Sequence, residues 1–161
     1  MKKVSVLGPS SATQENLIEA ERLGRFLAEE SIEVQNGGYN GVMEASAKGA
    51  INAGGQCHGV LMDANPKGNA YLTSSEVLPL WERTEKLLSE DCIGIWSATS
   101  LGTQWEILTA IIASRFGLPT KKLAIICSPE EETEIRKFYP GKETSRIFFT
   151  RTAAMAVTYI I

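Results

Sequence analysis

Short apolar runs alternate along the chain with longer segments in which apolar residues recur every three or four positions. Continuous apolar runs of four to seven residues are typical of buried strands, and apolar residues at every third or fourth position are typical of amphipathic helices. The pattern predicts these elements in order: strand Val4–Leu7, helix Thr13–Glu30, strand Ile32–Gln35, helix Gly41–Ala53, strand Gln56–Met62, helix Pro79–Ser89, strand Cys92–Trp96, helix Thr103–Phe116, strand Leu123–Cys127, helix Pro129–Tyr139, strand Arg146–Thr150 and a short final helix Ala153–Ile161.

Strands and helices that alternate over the whole chain favour an α/β fold with helices on both faces of a mostly parallel sheet. A length of 161 residues fits one domain, so we expect residues 1–161 to form a single Rossmann-like three-layer sandwich. In the common strand order 3-2-1-4-5, strands one and four are neighbours where the order reverses. Ligands bind there, outside the carboxyl ends of the strands, and the loops after these strands are the places to search for a site.

The segment Asp63–Ser75 is polar and is predicted to be the one long loop of the chain. Long loops in compact domains are often functional, so this segment is a further candidate for ligand contact.

Composition narrows the function classes. Apolar residues make up 43% and charged residues 22%, which is ordinary for a globular protein. The net charge of −3 argues against a nucleic-acid partner, and no apolar run reaches the about 18 residues that would suggest a membrane span. The first apolar run stops at Gly8-Pro9, too early for a signal peptide, so the expected location is cytoplasmic.

Three cysteines, Cys57, Cys92 and Cys127, fall in three different apolar runs. Unpaired cysteines in such runs behave as small buried apolar residues, and an odd number agrees with a reducing compartment. They form no C-x-x-C pair, and the carboxylates show no metal-ligand spacing, so no metal site is expected.

Two loops after the predicted strands one and four are rich in small and hydroxyl residues. After strand one, Gly8, Ser10 and Ser11 lead into a helix, where free backbone N–H groups suit a phosphate. The alternative is a tight turn with Ser11 or Thr13 as the helix N-cap. The loop after strand four supplies a second set of candidate phosphate ligands, which are Thr99, Ser100, Gly102 and Thr103.

Glu106 follows this second loop, one turn into the next predicted helix, and places a carboxylate near the candidate phosphate ligands. The structural alternative is a capping box, because Thr103 and Glu106 have the T-x-x-E spacing of that motif. Both loops should meet across one cleft, which is stronger evidence for a site than either loop alone.

After strand two, the segment NGGYNGVM supplies Gly37, Gly38, Gly41 and Met43. Glycines at this density allow the backbone to approach a ligand closely, although a flexible turn would use them equally well.

These motifs resemble those of the LOG family. Gly37–Met43, followed by Gly49-Ala50 and Gly54-Gly55, is similar to that family's glycine-rich block, and Gly102–Glu106 (GTQWE) resembles the end of its PGGxGTxxE signature. Arg83 lies where the family has a catalytic arginine. The family includes cytokinin-activating phosphoribohydrolases and molybdenum-cofactor carrier proteins, and its members are usually Rossmann-like dimers. Nothing in the chain suggests a pyridoxal enzyme, so a lysine decarboxylase activity is not expected.

The resemblance implies one of two functions. The first is hydrolysis of the N-glycosidic bond of a nucleoside 5′-monophosphate, in which Glu106 stabilises an oxocarbenium-like transition state and Arg83 holds the base or a phosphate oxygen. The second is a carrier or sensor that binds the molybdenum cofactor or an AMP-like nucleotide without turnover. Neither function requires a further cofactor, and the only partners expected are the ligand and a second copy of the chain.

One departure from the family pattern separates these functions. The chain has Ala98-Thr99-Ser100 where the hydrolases have Pro-Gly-Gly. The Thr99 and Ser100 side chains then replace two glycines that would let backbone amides wrap a phosphate. The loss of these glycines favours the carrier function. The intact Arg83 and Glu106 favour the hydrolase. The structural alternative for Arg83 is a surface or interhelix salt bridge with Glu82, Glu85 or Glu106.

Overall fold

The computed structural model describes residues 1–115, 121–138 and 147–161. Within these ranges the strands are β1 Lys3–Leu7, β2 Glu33–Asn36, β3 Cys57–Met62, β4 Ser74–Leu78, β5 Asp91–Ile95, β6 Leu123–Ile126 and β7 Ile147–Thr150. The helices are α1 Gln14–Glu29, α2 Val42–Asn52, α3 Leu80–Leu88, α4 Leu101–Arg115, α5 Pro129–Phe138 and α6 Ala153–Ile160. The predicted boundaries at Phe116, Tyr139 and Arg146 lie outside the described residues.

The seven strands form one sheet in the order β4-β3-β2-β1-β5-β6-β7, with every neighbouring pair parallel. β1 pairs with β2 on one side and with β5 on the other, so that Val4 lies opposite both Val34 and Asp91. The predicted α/β Rossmann-like fold is confirmed, as is the reversal of strand order beside the first strand.

The prediction of one loop over Asp63–Ser75 is wrong at its carboxyl end, where β4 begins at Ser74. β4 is an edge strand, paired in parallel with β3, and three of its five residues are exposed. An exposed edge strand needs no apolar run, which is why the pattern did not reveal it. The His58 side chain on β3 contacts two side chains of β4, with Nδ1 2.7 Å from Ser74 Oγ and Nε2 3.0 Å from Glu76 Oε1.

Side chains that alternate along the strands form two apolar cores, one on each face of the sheet. Helices α1, α2 and α6 cover the face that includes Val4 and Val34. Helices α3, α4 and α5 cover the other face, where they contribute Leu87, Ile107 and Ile135. The predicted three-layer arrangement follows directly from this division.

Helix α4 begins at Leu101, two residues before the predicted start at Thr103. The Ser100 hydroxyl accepts a hydrogen bond from Thr103 N at 3.3 Å, and the Ser100 carbonyl accepts one from Gln104 N at 3.0 Å. Ser100 therefore caps the helix and Thr103 lies inside the first turn. The capping-box interpretation of Thr103 and Glu106 is wrong, because the first residue of that motif must precede the helix.

The three cysteines are buried and unpaired, as predicted. Burial raises the pKa of the Cys57 thiol to about 12 and that of Cys127 to about 11, and it raises the pKa of Cys92 further. Thiols that stay protonated at neutral pH are poor nucleophiles, so these side chains act as packing groups.

Candidate ligand-binding cleft

A cleft of about 400 Å³ opens at the carboxyl edge of the sheet, where β1 and β5 are neighbours. Its volume lies within the range of small-molecule sites. The end of β1, the loops after β1 and β2, and the first turns of α3 and α4 supply its walls. It therefore occupies the place where an α/β sheet is expected to bind a ligand.

Glycines at two positions allow the loops after β1 and β2 to pack closely together. A Cβ atom on Gly8 would lie 2.5 Å from Val42 Cγ1. A Cβ atom on Gly41 would collide with the carbonyl oxygens of Pro9 and Ser10, and the φ of 65° at Gly41 disfavours any other residue. Val42 N donates to Pro9 O at 3.0 Å. Packing of the two loops explains why both positions are glycine.

Gly37 makes room for the Arg83 side chain. A Cβ atom at Gly37 would collide with Arg83 Nη2 and would lie 2.8 Å from Met43 Sδ. Gly38 instead anchors the loop, because its N–H donates to Asn36 Oδ1 at 2.8 Å and its carbonyl accepts from Asn69 N at 2.8 Å. The glycine-rich loop is therefore an ordered wall of the cleft.

Arg83 extends from α3 across the cleft floor and is 8% exposed. Its Nε donates to Val60 O at 2.8 Å, and its Nη2 donates to Gly37 O at 3.5 Å. Nη1 forms an ion pair with Glu106 Oε1 at 3.3 Å. Arginine has five N–H groups, so three are used within the protein and two remain for a ligand.

Glu106 extends from α4 to meet this arginine, and its side chain is 12% exposed. Burial raises the pKa of Glu106 to about 7, and the attraction of Arg83 for the charged form offsets part of that rise. The carboxyl group therefore exchanges its proton near neutral pH. A buried carboxyl group of this kind, beside a specific charge partner in a cleft, marks a candidate functional site.

The loop after β5 uses its hydroxyl groups locally. Ser97 Oγ lies 3.3 Å from Thr99 Oγ1, and Ser100 Oγ lies 2.8 Å from Thr103 Oγ1. Gln104 Nε2 holds the loop by donating to the carbonyl oxygens of Ser97 and Ala98 at 3.2 and 2.8 Å. The Thr99 and Ser100 hydroxyls thus each have a partner within the loop and the first turn of α4.

A model of the SLOG cluster4 family matches residues 1–116 of the chain. The chain belongs to the SLOG cluster4 family. The matched residues include every element that lines the cleft. The broad resemblance to LOG-type proteins is confirmed, and membership of the LOG phosphoribohydrolases themselves stays a prediction.

Known proteins are similar to this SLOG cluster4 chain over part or nearly all of its length. An uncharacterized protein from Archaeoglobus fulgidus is 42% identical over 55 residues, which are 34% of this chain and 36% of that protein. The chain therefore matches only about a third of that relative's length. Two solved structures cover nearly all of the chain. They are a molybdenum cofactor binding protein from the phototrophic bacterium Rippkaea orientalis and the molybdenum cofactor carrier protein from Chlamydomonas reinhardtii.

The Rippkaea protein is 23% identical with a TM-score of 0.81, and the match covers 99% of this chain and 94% of that one. The Chlamydomonas protein is 23% identical with a TM-score of 0.79, and the match covers 99% and 95% of the two chains. At this identity the likeness establishes a shared fold.

The cleft of this SLOG cluster4 protein brings together most of the predicted site residues. The ones that line it are Gly8, Ser10, Gly37, Met43, Arg83, Ser100, Gly102, Thr103 and Glu106. Ser11, Gly38, Gly41 and Thr99 lie outside its lining. The chain pattern did not single out Tyr39, Met62, Leu80 and Trp105, which also line the cleft. The sequence offered a signal for Tyr39, which lies within the glycine-rich loop.

Two findings concern the described residues alone. No helix among them has both the length and the apolar character that crossing a membrane requires. No group of three or more histidine, cysteine, aspartate or glutamate side chains among them is placed to hold a metal ion.

Proposed function

We propose that this protein binds a small phosphorylated ligand, such as the molybdenum cofactor or an AMP-like nucleotide, and holds it without turnover. The observation that carries this proposal is the pairing of Arg83 with Glu106 in the cleft floor. Glu106 would have to act on the substrate in hydrolysis, yet its Oε1 is paired with Arg83, which also donates to the carbonyl oxygens of Val60 and Gly37 and keeps two N–H groups for a ligand. The pair closes the floor and stiffens it.

The amino end of α4 is the expected phosphate contact. Gly102 lies in its first turn and lines the cleft, and no atom beyond its chain neighbours and its own helical turn lies within 4 Å of the place a Cβ would take. Backbone N–H groups at a helix start, together with the helix dipole, favour an anion. Ser10 from the opposite loop lines the same space. Leu80 and Trp105 offer an apolar wall for the flat ring of a ligand.

Hydrolysis of a nucleoside 5′-monophosphate is the second candidate function. The observation that favours it is the pKa of about 7 at Glu106, since catalytic carboxyl groups are often tuned in this way. The resemblance to LOG phosphoribohydrolases points the same way. The engaged Thr99 and Ser100 hydroxyls, where the hydrolases have glycines, weigh against it.

The two candidate functions are separated by incubating the protein with a panel of nucleoside monophosphates. Binding is measured by titration calorimetry, and released base is measured by chromatography. We expect saturable binding and no released base. The molybdenum content of protein purified from cells that make the cofactor gives a second readout. Release of base in proportion to protein concentration would instead establish the hydrolase.

The matched control for this experiment is Gly102→Phe. The open space at Gly102 lets the fold accept the larger side chain, which is expected to obstruct the cleft that Gly102 lines. Binding and molybdenum content should both be lost while the melting temperature stays close to that of the wild type. Binding that survives in this variant would place the ligand elsewhere.

An apolar surface beside the cleft favours self-association. Trp81 is 68% exposed, Leu101 is 83% exposed, and the Trp81 and Trp105 rings meet edge to face with centroids 5.7 Å apart. Ile112 is also exposed on α4. This exposure explains why α4 reads as apolar on most sides, because the sheet covers only one stripe of a helix. Covering the surface by a second copy would bury these side chains.

Light scattering at micromolar concentration is expected to give the mass of a homodimer. Trp81→Glu should give a folded monomer, because the substitution places a charge in the proposed contact. Met155→Glu is the matched control, since Met155 is an exposed apolar side chain on α6, on the opposite face of the sheet. A monomeric wild type would contradict this prediction.

A further inference from the structure

A second cavity of about 500 Å³ lies beside the cleft. Both are lined by Ser10, Tyr39 and Met62, so they are neighbours along the carboxyl edge of the sheet. The remaining residues that line this second chamber are Asn40, Asn65, Lys67, Gly68 and Asn69. The chamber lies beside the ends of β2 and β3, on the side of the cleft away from β5.

The wall between the cleft and the second chamber is held in place by hydrogen bonds. The Tyr39 hydroxyl accepts from Met62 N at 2.8 Å and donates to Asn65 O at 2.7 Å. Asn69 Nδ2 donates to the carbonyl oxygens of Gly38 and Tyr39 at 3.2 and 2.9 Å. These bonds join the loop after β3 to the loop after β2. This wall is therefore ordered before a ligand arrives, which lowers the entropy cost of binding, while Lys67 and Asn40 are exposed at the open side of the chamber.

The lining of the second chamber suits an anion. Among the described residues that line it, Lys67 carries the only charge, and the side chains of Asn40 and Asn65 are neutral amides. Two backbone acceptors at its edge, Gly38 O and Tyr39 O, are already occupied by Asn69. An ammonium group with no carboxylate in the same lining attracts negative charge.

We propose that the ligand of the cleft carries a second phosphorylated half, which passes Tyr39 and lies beside Lys67. The ligand class is a pyrophosphate-linked dinucleotide. The volumes support this class, since the chamber is at least as large as the cleft and far exceeds the space that a lone phosphate fills. The amide side chains suit the polar edges of a sugar and a base. This inference rests on the proposed function, because the first half of the ligand occupies the cleft.

The test compares AMP with diadenosine pyrophosphate as probes, by titration calorimetry at low and at high salt. Diadenosine pyrophosphate is expected to bind the wild type about tenfold or more tightly than AMP, in keeping with a hydrogen bond to a charged group. Lys67→Gln should remove most of this advantage and leave the affinity for AMP within about twofold. Lys137→Gln is the matched control, because Lys137 is an exposed lysine on α5 that is absent from the lining of both cavities.

A second variant tests the chamber by adding charge. Asn40→Asp places a carboxylate in the lining and should weaken binding of the dinucleotide at low salt, with AMP unaffected. Equal affinity of the wild type for AMP and diadenosine pyrophosphate would overturn the inference and leave the proposed function standing. So would equal losses in Lys67→Gln and Lys137→Gln. Failure of the wild type to bind either probe would contradict the proposed function and the inference together.

Discussion

Replacing Arg83 by methionine is expected to lower the free energy of unfolding by about 3–5 kcal/mol, the usual cost of breaking a buried ion pair from one side. Methionine keeps the apolar stem but leaves the carbonyl oxygens of Val60 and Gly37 without their donor. It also leaves Glu106 without its counter-ion, so the pKa of Glu106 should rise above 7. The loss should therefore be larger at pH 8 than at pH 5, where Glu106 is protonated. Chemical denaturation at the two pH values measures it.

Two controls make the Arg83 result specific. Arg25→Met removes an arginine whose side chain is about half exposed on α1, and its surface ion pair with Glu29 should contribute less than about 1 kcal/mol. The double variant Arg83→Met with Glu106→Gln should recover part of the loss at pH 8. An equal loss at both pH values would show that Glu106 does not titrate as described. Affinity for AMP should fall about 10- to 100-fold in Arg83→Met, since hydrogen bonds to a charged group are lost.

Glu106→Gln is expected to gain stability relative to the wild type as the pH rises from 5 to 7. The pKa of this carboxyl group is about 7 in the folded protein and 4.5 ordinarily, so between these values the folded chain binds a proton that the unfolded chain releases. Each pH unit in that range costs the wild type up to about 1.4 kcal/mol, and the glutamine variant is spared this cost. The difference should level off above pH 7. Denaturation curves at half-unit steps of pH measure it.

The control for this pH dependence is Glu134→Gln on α5, which removes a carboxylate that is 60% exposed and lies outside the cleft. A flat difference for Glu106→Gln would mean that the carboxyl group is not held in the described environment. The same variant also tests turnover. If the wild type releases base from AMP, Glu106→Gln should slow it by about two to three orders of magnitude, as expected for a lost electrostatic group.

Much of this protein could be predicted from local pattern. Runs such as Val4–Leu7 and Leu123–Cys127 are apolar at every position but one at most, and only burial on both faces of a sheet accommodates that. Once helices alternate with such strands, the parallel sheet and its ligand edge follow from general rules of topology. The glycine loop after β2 and the small-residue loops after β1 and β5 were therefore placed at one edge without knowledge of the tertiary structure.

Local pattern failed where a residue's environment comes from distant parts of the chain. β4 was missed because an edge strand is paired on one side only and needs few apolar residues. Gly8 and Gly41 suggested ligand contact; Gly8 lines the cleft and Gly41 does not, and the packing of one loop on another requires glycine at both positions. Ser11 and Thr99 were proposed for their hydroxyl groups, and neither lines the cleft.

The spacing of Thr103 and Glu106 suggested a capping box, because a local spacing carries information about one helix and none about its contacts with other helices. The partner of Glu106 is Arg83, 23 residues away on α3, and two helices on the same face of the sheet bring them together. The α/β fold and a set of candidate residues at the carboxyl edge of the sheet could be predicted from the chain pattern, since they depend on periodicity and loop chemistry. Which of these candidates face one space became clear from the folded structure, because side-chain burial, pairing and pKa depend on neighbours that are remote in sequence.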